Sequence, residues 1–532
     1  MSDSIAANIA TMNKLEGFDV IILCCGSGLQ ADYWQGRLER GKGSVLPANA
    51  LVLAVEEDWP GGAGNALGTL YAYKNACTMA KEKFSYDVEI KLKRGEISVG
   101  LFHTAGKGTR LAPLPGAENN NKPGVKLPAT VTLDIDSESS TCVPVTILEA
   151  VIKQTCCYGK SRAGRLSVFW GDQVFIPTVP VEYKVSHHVD ILCSLGPMMD
   201  EKEWREKGMD KYGLIACSST GAAQVEKVDH STAVQLLSGL GEIKSVGASL
   251  GSFSVSSVML YSLLAEFREE LAAKKGKLDS DPHLWMPMTL TKSAYLQLMG
   301  QKGVSSDAAS AHYDRIASMM LAFDLAVKES GSPAYGLFGP VDVGAGVYWW
   351  DYGQLKLYQK NSLLMLEDSR EGQLMRTFFG LKDVVQNSSV RSGVVVDRLS
   401  CLSSCEVGES GTISTSVLSN VRCNHIEADG AILINVTAKK IIAPKGCIVY
   451  NVVDESPDGL VLSTGQVYSG VFNLNGQQIL MRSHVDIDGG KAWETALEGN
   501  AHSFEGIYNM NTTVSPVTLE QVITAAHRAV QL

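Results

Sequence analysis

The feature that most restricts the fold is a short repeat in the last third of the chain. Three segments share a β-prone run that ends in Asn-Val: Val417–Val421, Ile432–Val436 and Ile448–Val452. Their asparagines, Asn420, Asn435 and Asn451, are 15 and 16 residues apart, and Gly430 and Gly446 fall at equivalent turns. A constant step of this kind lets identical side chains of successive coils stack into a ladder. The repeat therefore predicts a short parallel β-helix with about three visible coils.

The first two thirds of the chain have a different pattern, in which apolar runs alternate with helical periodicity. The predicted strands are Val20–Cys24, Ala50–Val55, Val99–His103, Leu166–Trp170 and Val189–Cys193, and the predicted helices include Val145–Thr155 and Leu263–Lys274. This alternation predicts an α/β domain with a Rossmann-like, mostly parallel mixed sheet flanked by helices. We expect that domain over residues 1–385 and the β-helix domain over residues 386–532.

Helix caps and end caps can also be predicted from spacing. Asp307 stands where it could cap a long helix over Ala308–Ser330. In the last helix, Thr518 and Gln521 have the spacing of a capping box. A short solenoid needs closed ends, so we expect this helix and Trp493 to cap the β-helix, whose role is then structural or homo-oligomeric.

Composition limits the function classes. The chain has 532 residues, 45% of them hydrophobic, and a net charge of −10, which argues against a nucleic-acid surface. No apolar run is long enough to cross a bilayer and the N-terminus lacks a signal pattern, so we expect a cytoplasmic protein without a membrane partner. Twelve cysteines contain no C-x-x-C pair, which favours reduced thiols over zinc clusters or disulfides.

A glycine-rich stretch with clustered cations is the best candidate for ligand chemistry. After the β-prone run 98–103 come Gly106-Lys107-Gly108-Thr109-Arg110, and then Lys122 and Lys126. Glycines let backbone N–H groups approach phosphate oxygens closely, and the cations add charge. The spacing is not that of a Walker loop. A solvated basic loop is the structural alternative.

A bound nucleoside triphosphate would also require acidic ligands for Mg²⁺. Asp172 follows the apolar strand at 167–171, and Asp351 follows the aromatic run 348–350. Strand ends of this kind lie at the carboxyl edge of an open α/β sheet, where ligands bind. Taken singly, Asp172 is better explained as a helix N-cap or turn residue, and Asp351 as a helix N-cap. Together with the glycine-rich loop, they predict a metal site.

These motifs resemble those of the sugar nucleotidyltransferases, which carry G-x-G-T-R-L-x-P, an insert and K-P-x-x-P. Here Gly106–Pro113 and Lys122–Lys126 stand in that order. Ala105 occupies a position that is glycine in many members, and Lys126 replaces the second proline. The resemblance leaves open whether Lys122 or Lys126 meets the reacting phosphate, and we favour Lys122.

The resemblance extends to the sugar-binding elements of that superfamily. A strand at Tyr212-Gly213 is followed by Glu226-Lys227, the pair that in the superfamily holds sugar hydroxyls and the sugar phosphate. The segment 249–253, with Gly251, is similar to the sugar-pocket strand, but Ser249 replaces its asparagine and leaves the sugar open. A surface ion pair is the alternative for Glu226 and Lys227.

The N-terminal third resembles the fucose-1-phosphate guanylyltransferase (GDP-fucose pyrophosphorylase) family most closely. The resemblance rests on Phe18–Leu23, Gln30–Leu38 and the glycine turn 62–70. It implies that Gly62, Gly64 and Gly68 lie against the nucleotide base. A dinucleotide loop is disfavoured because Trp59-Pro60 interrupts the passage from strand to turn.

The implied activity is formation of a nucleoside-diphosphate sugar and pyrophosphate from a nucleoside triphosphate and a sugar 1-phosphate, with a GDP-sugar favoured. The implied roles are phosphate binding by Ala105, Gly106, Gly108 and Thr109, catalysis by Arg110 and Lys122 or Lys126, Mg²⁺ binding by Asp172 and Asp351, and sugar-phosphate binding by Gly213, Glu226, Lys227 and Gly251. A UTP-dependent uridylyltransferase and a catalytically silent regulatory or scaffold subunit are the alternatives.

Overall fold

The structure, a computed structural model, describes residues 2–134, 140–181, 183–219, 221–237, 240–330 and 335–532. Over these ranges the chain is a mixed α/β protein whose sheets contain both parallel and antiparallel strands, and the described strands do not close into a barrel. None of the helices in these ranges combines the length and the apolar character needed to cross a lipid bilayer.

The strands are numbered in chain order: β1 Val20–Cys25, β2 Leu51–Glu56, β3 Val99–His103, β4 Lys126–Asp134, β5 Ser140–Thr146, β6 Arg165–Trp170, β7 Gln173–Ile176, β8 His187–Gly196, β9 Gly213–Ser218, β10 Ala222–Glu226, β11 Ile243–Ser256, β12 Gly336–Asp342, β13 Tyr348–Asp351, β14 Val385–Gln386, β15 Ser389–Val390, β16 Val394–Val396, β17 Cys401–Ser403, β18 Glu406–Ser414, β19 Val417–Asp429, β20 Ile432–Ala443, β21 Ile448–Asp454, β22 Leu460–Val461, β23 Gln466–Phe472 and β24 Gln478–His484.

The α-helices are α1 Ser2–Asn13, α2 Gly28–Arg40, α3 Gly64–Phe84, α4 Val88–Lys93, α5 Leu114–Ala117, α6 Ile147–Thr155, α7 Glu201–Glu206, α8 His230–Leu237, α9 Ser257–Glu266, α10 Arg268–Ala273, α11 Met286–Thr289, α12 Lys292–Gln301, α13 Ser306–Ser330, α14 Leu355–Leu364, α15 Arg370–Phe379, α16 Phe504–Asn511 and α17 Pro516–Ala529. Single 3₁₀ turns at Thr109–Leu111 and Lys122–Gly124 and a π-helical turn at Asp281–Trp285 carry residues of the candidate site.

The first large sheet has the strand order β10-β9-β11-β6-β3-β1-β2, with β8 beside β11 and β12 beside β8. The pairs among β2, β1, β3 and β6 are parallel, as is β8–β12, whereas β11 runs antiparallel to β6, β8 and β9. The expectation of a mostly parallel sheet is therefore right for one half only. In the other half, β9 and β10 are joined by a short turn, which can connect only antiparallel neighbours.

Helices cover both faces of this sheet. One core contains side chains from α1, α2 and α6, and the other contains side chains from α3, α9 and α13. The five predicted strands are present with boundaries shifted by a few residues at most, because their apolar runs are the buried strands of the sheet.

Several predicted helix boundaries need correction. The helix predicted over Leu263–Lys274 is two helices, α9 and α10, which meet at Phe267. Asp307 lies inside the first turn of α13, and the hydroxyl of Ser305 accepts the Ala308 N–H instead. Thr518 is likewise inside α17, whose N-cap is Ser515. In both helices the N-cap is a serine, and its hydroxyl accepts the backbone N–H of the residue three positions later.

The second large sheet is a stack of parallel strands in the order β14-β17-β19-β20-β21-β23, with β24 antiparallel to β23 at one end. The register pairs Val417 with Ile432 and Ile432 with Ile448, which is the step of the sequence repeat. The stack is longer than the three repeated segments. Ser404 occupies the position equivalent to Asn420 with a φ of 55°, but its different side chain conceals the repeat in the sequence.

The repeated asparagines form a ladder along this stack. Nδ2 of Asn420 donates to Oδ1 of Asn435 over 2.6 Å, Asn435 donates to Asn451 over 2.6 Å, and Asn451 donates to the Gly470 carbonyl over 3.0 Å. All three asparagines have φ between 53° and 56°, a left-handed conformation that asparagine tolerates better than most residues. The predicted ladder is confirmed in these contacts.

The C-terminal helix runs along the side of the stack. Its His527 carbonyl accepts from Arg422 over 3.0 Å, and the His527 ring is 2.9 Å from the Thr437 hydroxyl. Glu520 of the same helix forms ion pairs with Arg37 and Arg40 of α2. The helix therefore joins the two large sheets. It does not close an end of the stack, which is the role that the sequence had led us to expect.

Candidate functional site

The glycine-rich segment leaves β3 and turns into an open cleft. Gly106 has a φ of 125° and Gly108 a φ of 65°. A methyl group placed on Gly108 would lie 3.0 Å from Cβ and Cγ of Lys122, so the missing side chain lets the lysine pack against the turn. Nothing lies within 4 Å of the corresponding point on Gly106. Its backbone is therefore accessible to a ligand.

The cleft has a volume of about 450 Å³, which is within the usual range for small-molecule sites. It lies at the carboxyl ends of β2, β3 and β6, the position where open α/β sheets bind ligands. Its lining includes six of the residues selected from the sequence, namely Gly62, Gly64, Ala105, Gly106, Lys122 and Asp172.

Two aspartates from distant parts of the sequence meet at one side of this cleft. Asp172 lies in the turn between β6 and β7, and Asp351 ends β13, which pairs with β7. A methyl group placed on Gly353 would lie 3.0 Å from Oδ1 of Asp351, 3.1 Å from Oδ2 of Asp172 and 3.7 Å from Nζ of Lys122. The three charged groups therefore face one point, and the absent side chain of Gly353 keeps that point open.

The charges in this cluster are only partly compensated. Lys122 forms an ion pair with Asp172, and both side chains are 18% exposed. Burial raises the pKa of Asp351, and the negative charge of Asp172 acts in the same direction, while Lys122 and Arg110 oppose it. A site that gathers two carboxylates beside a cleft favours a bound cation.

Lys126 does not face the cleft, and this corrects its selection as an alternative catalytic lysine. Its ammonium group forms an ion pair with Glu118, and its backbone N–H donates to the Tyr450 hydroxyl over 2.8 Å. The Tyr358 hydroxyl donates to the Lys126 carbonyl over 2.7 Å. Lys126 begins β4 beside the second large sheet, so only Lys122 of the two lysines reaches the carboxylates.

Two further selected residues lie differently from expectation. Gly68 is in the second turn of α3 and does not line the cleft; a methyl group there would lie 2.4 Å from Oε2 of Glu57. The Thr109 carbonyl packs against Gly489; a methyl group placed on Gly489 would lie 2.4 Å from the Thr109 carbonyl oxygen. Gly68 thus makes room for a carboxylate, and Thr109 is covered by the C-terminal part of the chain.

The predicted sugar-phosphate residues form a second group of charges. Gly213 and Glu226 are paired across the β9–β10 hairpin. Glu226 contacts Lys227 at 2.9 Å and Lys302 at 3.1 Å. Burial acts to raise the pKa of Glu226, but these two cations outweigh it and the pKa is lowered. Glu226 therefore stays ionised and orients two ammonium groups, of which the Lys302 group was not found from the sequence.

Asp281 also belongs to this group, and sequence reasoning missed it. A methyl group on Gly213 would lie 3.4 Å from Oδ2 of Asp281 and 3.4 Å from Cβ of Ser249. Burial raises the pKa of Asp281 to about 6, and the charge of Glu226 acts in the same direction. Asp281 starts a π-helical turn, a feature that often marks functional sites but has no motif that a sequence reading can detect.

Trp170 and Asp279 connect the two groups of charges. Both line the cleft that contains Lys122 and Asp172. A methyl group on Gly251 would lie 2.3 Å from Nε1 of Trp170, so Gly251 admits the indole ring. Asp279 is close enough to Lys227 to contribute to its raised pKa, after the larger effect of Glu226. We call the cleft and this second group of charges together the groove; of the selected residues, Gly68, Thr109 and Lys126 lie away from it.

Beneath the cleft, Cys24, Glu57 and His103 have potential ligand atoms within 4.8 Å of one another. These atoms already have partners within the protein. The Thr69 hydroxyl donates its proton to the Asn65 carbonyl. The Thr69 hydroxyl oxygen therefore accepts a hydrogen bond from the Nε2–H of His103 at 2.8 Å. Burial lowers the pKa of His103 to about 4, and Glu57 accepts the N–H at the start of α3. The cluster forms a hydrogen-bonded floor for the cleft.

Comparison with known proteins adds no family to this geometry. The sequence matches no protein-family model. A search of curated proteins gives no match either. Any assignment of function therefore depends on the residues and distances described above.

Proposed function

We propose that the protein is a sugar-1-phosphate nucleotidyltransferase, which forms a nucleoside-diphosphate sugar and pyrophosphate reversibly from a nucleoside triphosphate and a sugar 1-phosphate. In this proposal, residues 1–385 are a Rossmann-like nucleotidyltransferase domain and residues 386–532 are a short parallel β-helix domain. The sequence resemblance favours GTP and a GDP-sugar such as GDP-fucose.

One observation carries the proposal. The carboxylates of Asp172 and Asp351 and the ammonium group of Lys122 surround one open point beside Gly353, next to the cleft entered by Gly106. A cation site, a lysine and accessible backbone N–H groups in one cleft are the components that phosphoryl-group chemistry requires. A purely structural domain gains nothing by placing two carboxylates at one accessible point.

The residues present fit a Mg²⁺ ion. Two carboxylates supply the oxygen ligands that Mg²⁺ prefers, and one or two carboxylates with phosphate oxygens are its usual protein environment. The raised pKa of Asp351 reflects burial and the charge of Asp172, a cost that a divalent cation would relieve. When bound, the ion would neutralise charge on the triphosphate.

The side chains divide the remaining work between the two ends of the groove. The backbone at Ala105 and Gly106 would bind phosphate oxygens, while Arg110 and Lys122 would stabilise the departing pyrophosphate. Lys227 and Lys302 would hold the sugar phosphate, with Glu226 orienting them. An oxygen of the sugar phosphate then forms a bond to the α-phosphorus as the bond from that phosphorus to the β-bridging oxygen breaks, and pyrophosphate leaves with the electron pair.

Pyrophosphate exchange tests this proposal directly. Purified protein with Mg²⁺ should exchange labelled pyrophosphate into one nucleoside triphosphate when the matching nucleoside-diphosphate sugar is supplied. A thermal-shift screen of the four common nucleoside triphosphates with Mg²⁺ should identify the base, because preferential binding to native protein raises its Tm. Folded protein that shows neither exchange nor a Mg²⁺-dependent shift with any of them would instead be a catalytically silent subunit.

A further inference from the structure

The segment that joins Arg110 to Lys122 is held by residues almost four hundred positions away in the sequence. It contains α5 and the run Asn119–Asn121. Asn119 and Asn120 have φ of 54° and 65°, in the left-handed region. Asparagine adopts this region more readily than most residues, but it still costs energy relative to glycine. Two consecutive residues in this conformation require external contacts to keep them there.

Those contacts come from the C-terminal helical segment. Nδ2 of Asn120 donates to the Tyr508 carbonyl over 2.7 Å. Nδ2 of Asn511 donates to the Gly116 carbonyl over 2.8 Å and to Oδ1 of Asn120 over 3.2 Å. Asn119 donates to the Val514 carbonyl over 2.6 Å. Asn511 is 5% exposed and uses both amide protons in this clamp.

The same C-terminal segment also covers the glycine-rich turn. The Lys107 ammonium group lies 5.1 Å from the centre of the Tyr508 ring. Gly489 packs against the Thr109 carbonyl, and a methyl group on Gly490 would lie 3.6 Å from Cγ of Arg110. The turn and the segment before Lys122 are therefore fastened to one region, residues 489–514.

We propose that Asn511 is a positioning residue for the nucleotidyltransferase reaction, acting through the segment 114–122 on Lys122. The proposal rests on the proposed function, since it is that function which gives Lys122 a role. Lys122 directly follows the clamped asparagines, and Asn121 is itself held by the Trp34 indole N–H at 3.2 Å. A shift of about 1 Å in a catalytic group can cost on the order of 10²-fold in rate. Releasing the clamp should therefore lower kcat more than it changes the KM for sugar phosphate, which binds at the distant β9–β10 hairpin.

The test compares three asparagine variants. Asn511→Ala should lower kcat for pyrophosphate exchange by about 10-fold or more, with the KM for sugar phosphate changed less than about twofold. Asn8→Ala is a matched control, because Asn8 is 4% exposed and its Nδ2 donates to the Pro177 and Val179 carbonyls, away from the segment 114–122; it should lower Tm without lowering kcat. Asn509→Ala, on the exposed side of α16, should change neither quantity.

Hydrogen exchange gives a readout that does not depend on activity. Asn511→Ala should speed amide exchange across residues 104–125, and Asn8→Ala should not. If Asn511→Ala does not fold, Asn120→Ala breaks the same clamp from the other side and should give the same result. Partial recovery of kcat by Asn511→Gln, which keeps the amide donor, would support positioning.

An unchanged kcat in folded Asn511→Ala, or an equal loss in Asn8→Ala, would overturn the proposal. If the wild-type protein exchanges no pyrophosphate with any nucleotide, the proposed function fails, while the hydrogen-exchange comparison still decides whether Asn511 fixes the segment. Unaltered exchange over residues 104–125 would overturn the clamp itself.

Discussion

Two lysines four residues apart each pair with a carboxylate, but the two pairs differ in their surroundings. Lys122 pairs with Asp172, whose side chain is 18% exposed, and faces the second carboxylate of Asp351. Lys126 pairs with Glu118, whose side chain is 9% exposed and also accepts from the Tyr450 hydroxyl. We refer to Lys122, Asp172 and Asp351 as the open cluster. The closed cluster comprises Arg37, Glu118, Lys126 and Glu149.

The difference shows which charges are available to a ligand. In the closed cluster, Arg37 and Glu149 are 1% and 0% exposed, and the guanidinium group contacts the carboxylate at 2.8 Å. Glu149 also caps α6 through the Thr146 N–H. Each charge there is matched by an opposite charge inside the protein, and the Lys126–Glu118 pair also contacts Tyr450 of the second large sheet. The open cluster instead has two carboxylates and one ammonium group at the edge of a cleft.

The largest expected effect is on the stability contributed by the closed cluster. Arg37→Met should lower the free energy of unfolding by about 3–5 kcal/mol, because Glu149 would remain buried without its cation. Arg40→Met is the matched control; its pair with Glu520 is about one-third exposed, so the loss should stay below about 1 kcal/mol. Urea denaturation measures both. Similar losses in the two variants would mean that the closed cluster is not a special point of stability.

Exchanging the two lysines for methionine separates the clusters by function. Lys122→Met should lower kcat by about 10²–10³-fold with little change in stability, since a cation facing the reacting phosphates would be lost. Lys126→Met should have the opposite effect, lowering Tm while folded molecules keep their turnover. Exchange kinetics at a temperature where both variants are folded make the comparison. Loss of turnover in folded Lys126→Met would reverse our assignment of the two lysines.

Asp351→Asn should lower kcat by on the order of 10²-fold without reducing stability. The asparagine keeps an oxygen for the Gly353 N–H, which Asp351 now accepts at 2.7 Å. Because the pKa of Asp351 is raised, its ionised form is disfavoured by folding, and removing the charge costs no stability at neutral pH. Asp383→Asn, at an exposed position, is the control. Unchanged turnover would remove Asp351 from the mechanism.

The pH dependence of stability tests Asp281. Its native pKa of about 6 is above the value of an unfolded chain, so native protein binds the proton more tightly. The contribution of this group to the free energy of unfolding therefore falls as pH rises from about 4 to about 6. Asp281→Asn should remove that decline and be more stable than wild type by about 3 kcal/mol at pH 7.5. A parallel pair of stability–pH curves would contradict the assigned environment.

The smallest expected effect is at the proposed sugar-phosphate end of the groove. Glu226→Lys should raise the KM for sugar phosphate by about 10-fold, because the new charge repels Lys227 and Lys302 from their present positions. The KM for the nucleotide should be unaffected. Steady-state kinetics with each substrate varied in turn measure both. A change confined to the nucleotide KM would place the hairpin at the other end of the groove.

The sequence predicts elements whose cause is local. The asparagine ladder could be predicted because stacked strands in constant register repeat the same residue type. It could not be followed to Ser404, where another residue adopts the same left-handed conformation. Asp172 and Asp351 could be selected because both end strands, and the structure brings them together, whereas their chemical role stays a prediction.

Other features depend on packing between distant segments, and no local pattern predicts them. The environment of Lys126 is set by Tyr450, which lies on the second large sheet, and the environment of Asp281 by the β9–β10 hairpin. The prediction of a mostly parallel sheet was wrong in one half of the sheet, because apolar runs reveal where strands are but not their direction. Pairing direction is set by the connections, such as the short turn between β9 and β10.

The contact between Asn120 and Asn511 joins residues 391 positions apart. During synthesis, the N-terminal sheet can leave the ribosome and fold long before α16 exists, because domains form as their residues emerge. A nascent or prematurely terminated chain would then carry every charged group of the groove and still lack the clamp beside Lys122. Under the proposed function, completion of the chain would be the step that fixes Lys122 in place, so fragments released by interrupted translation would turn over nucleotide more slowly than the finished chain.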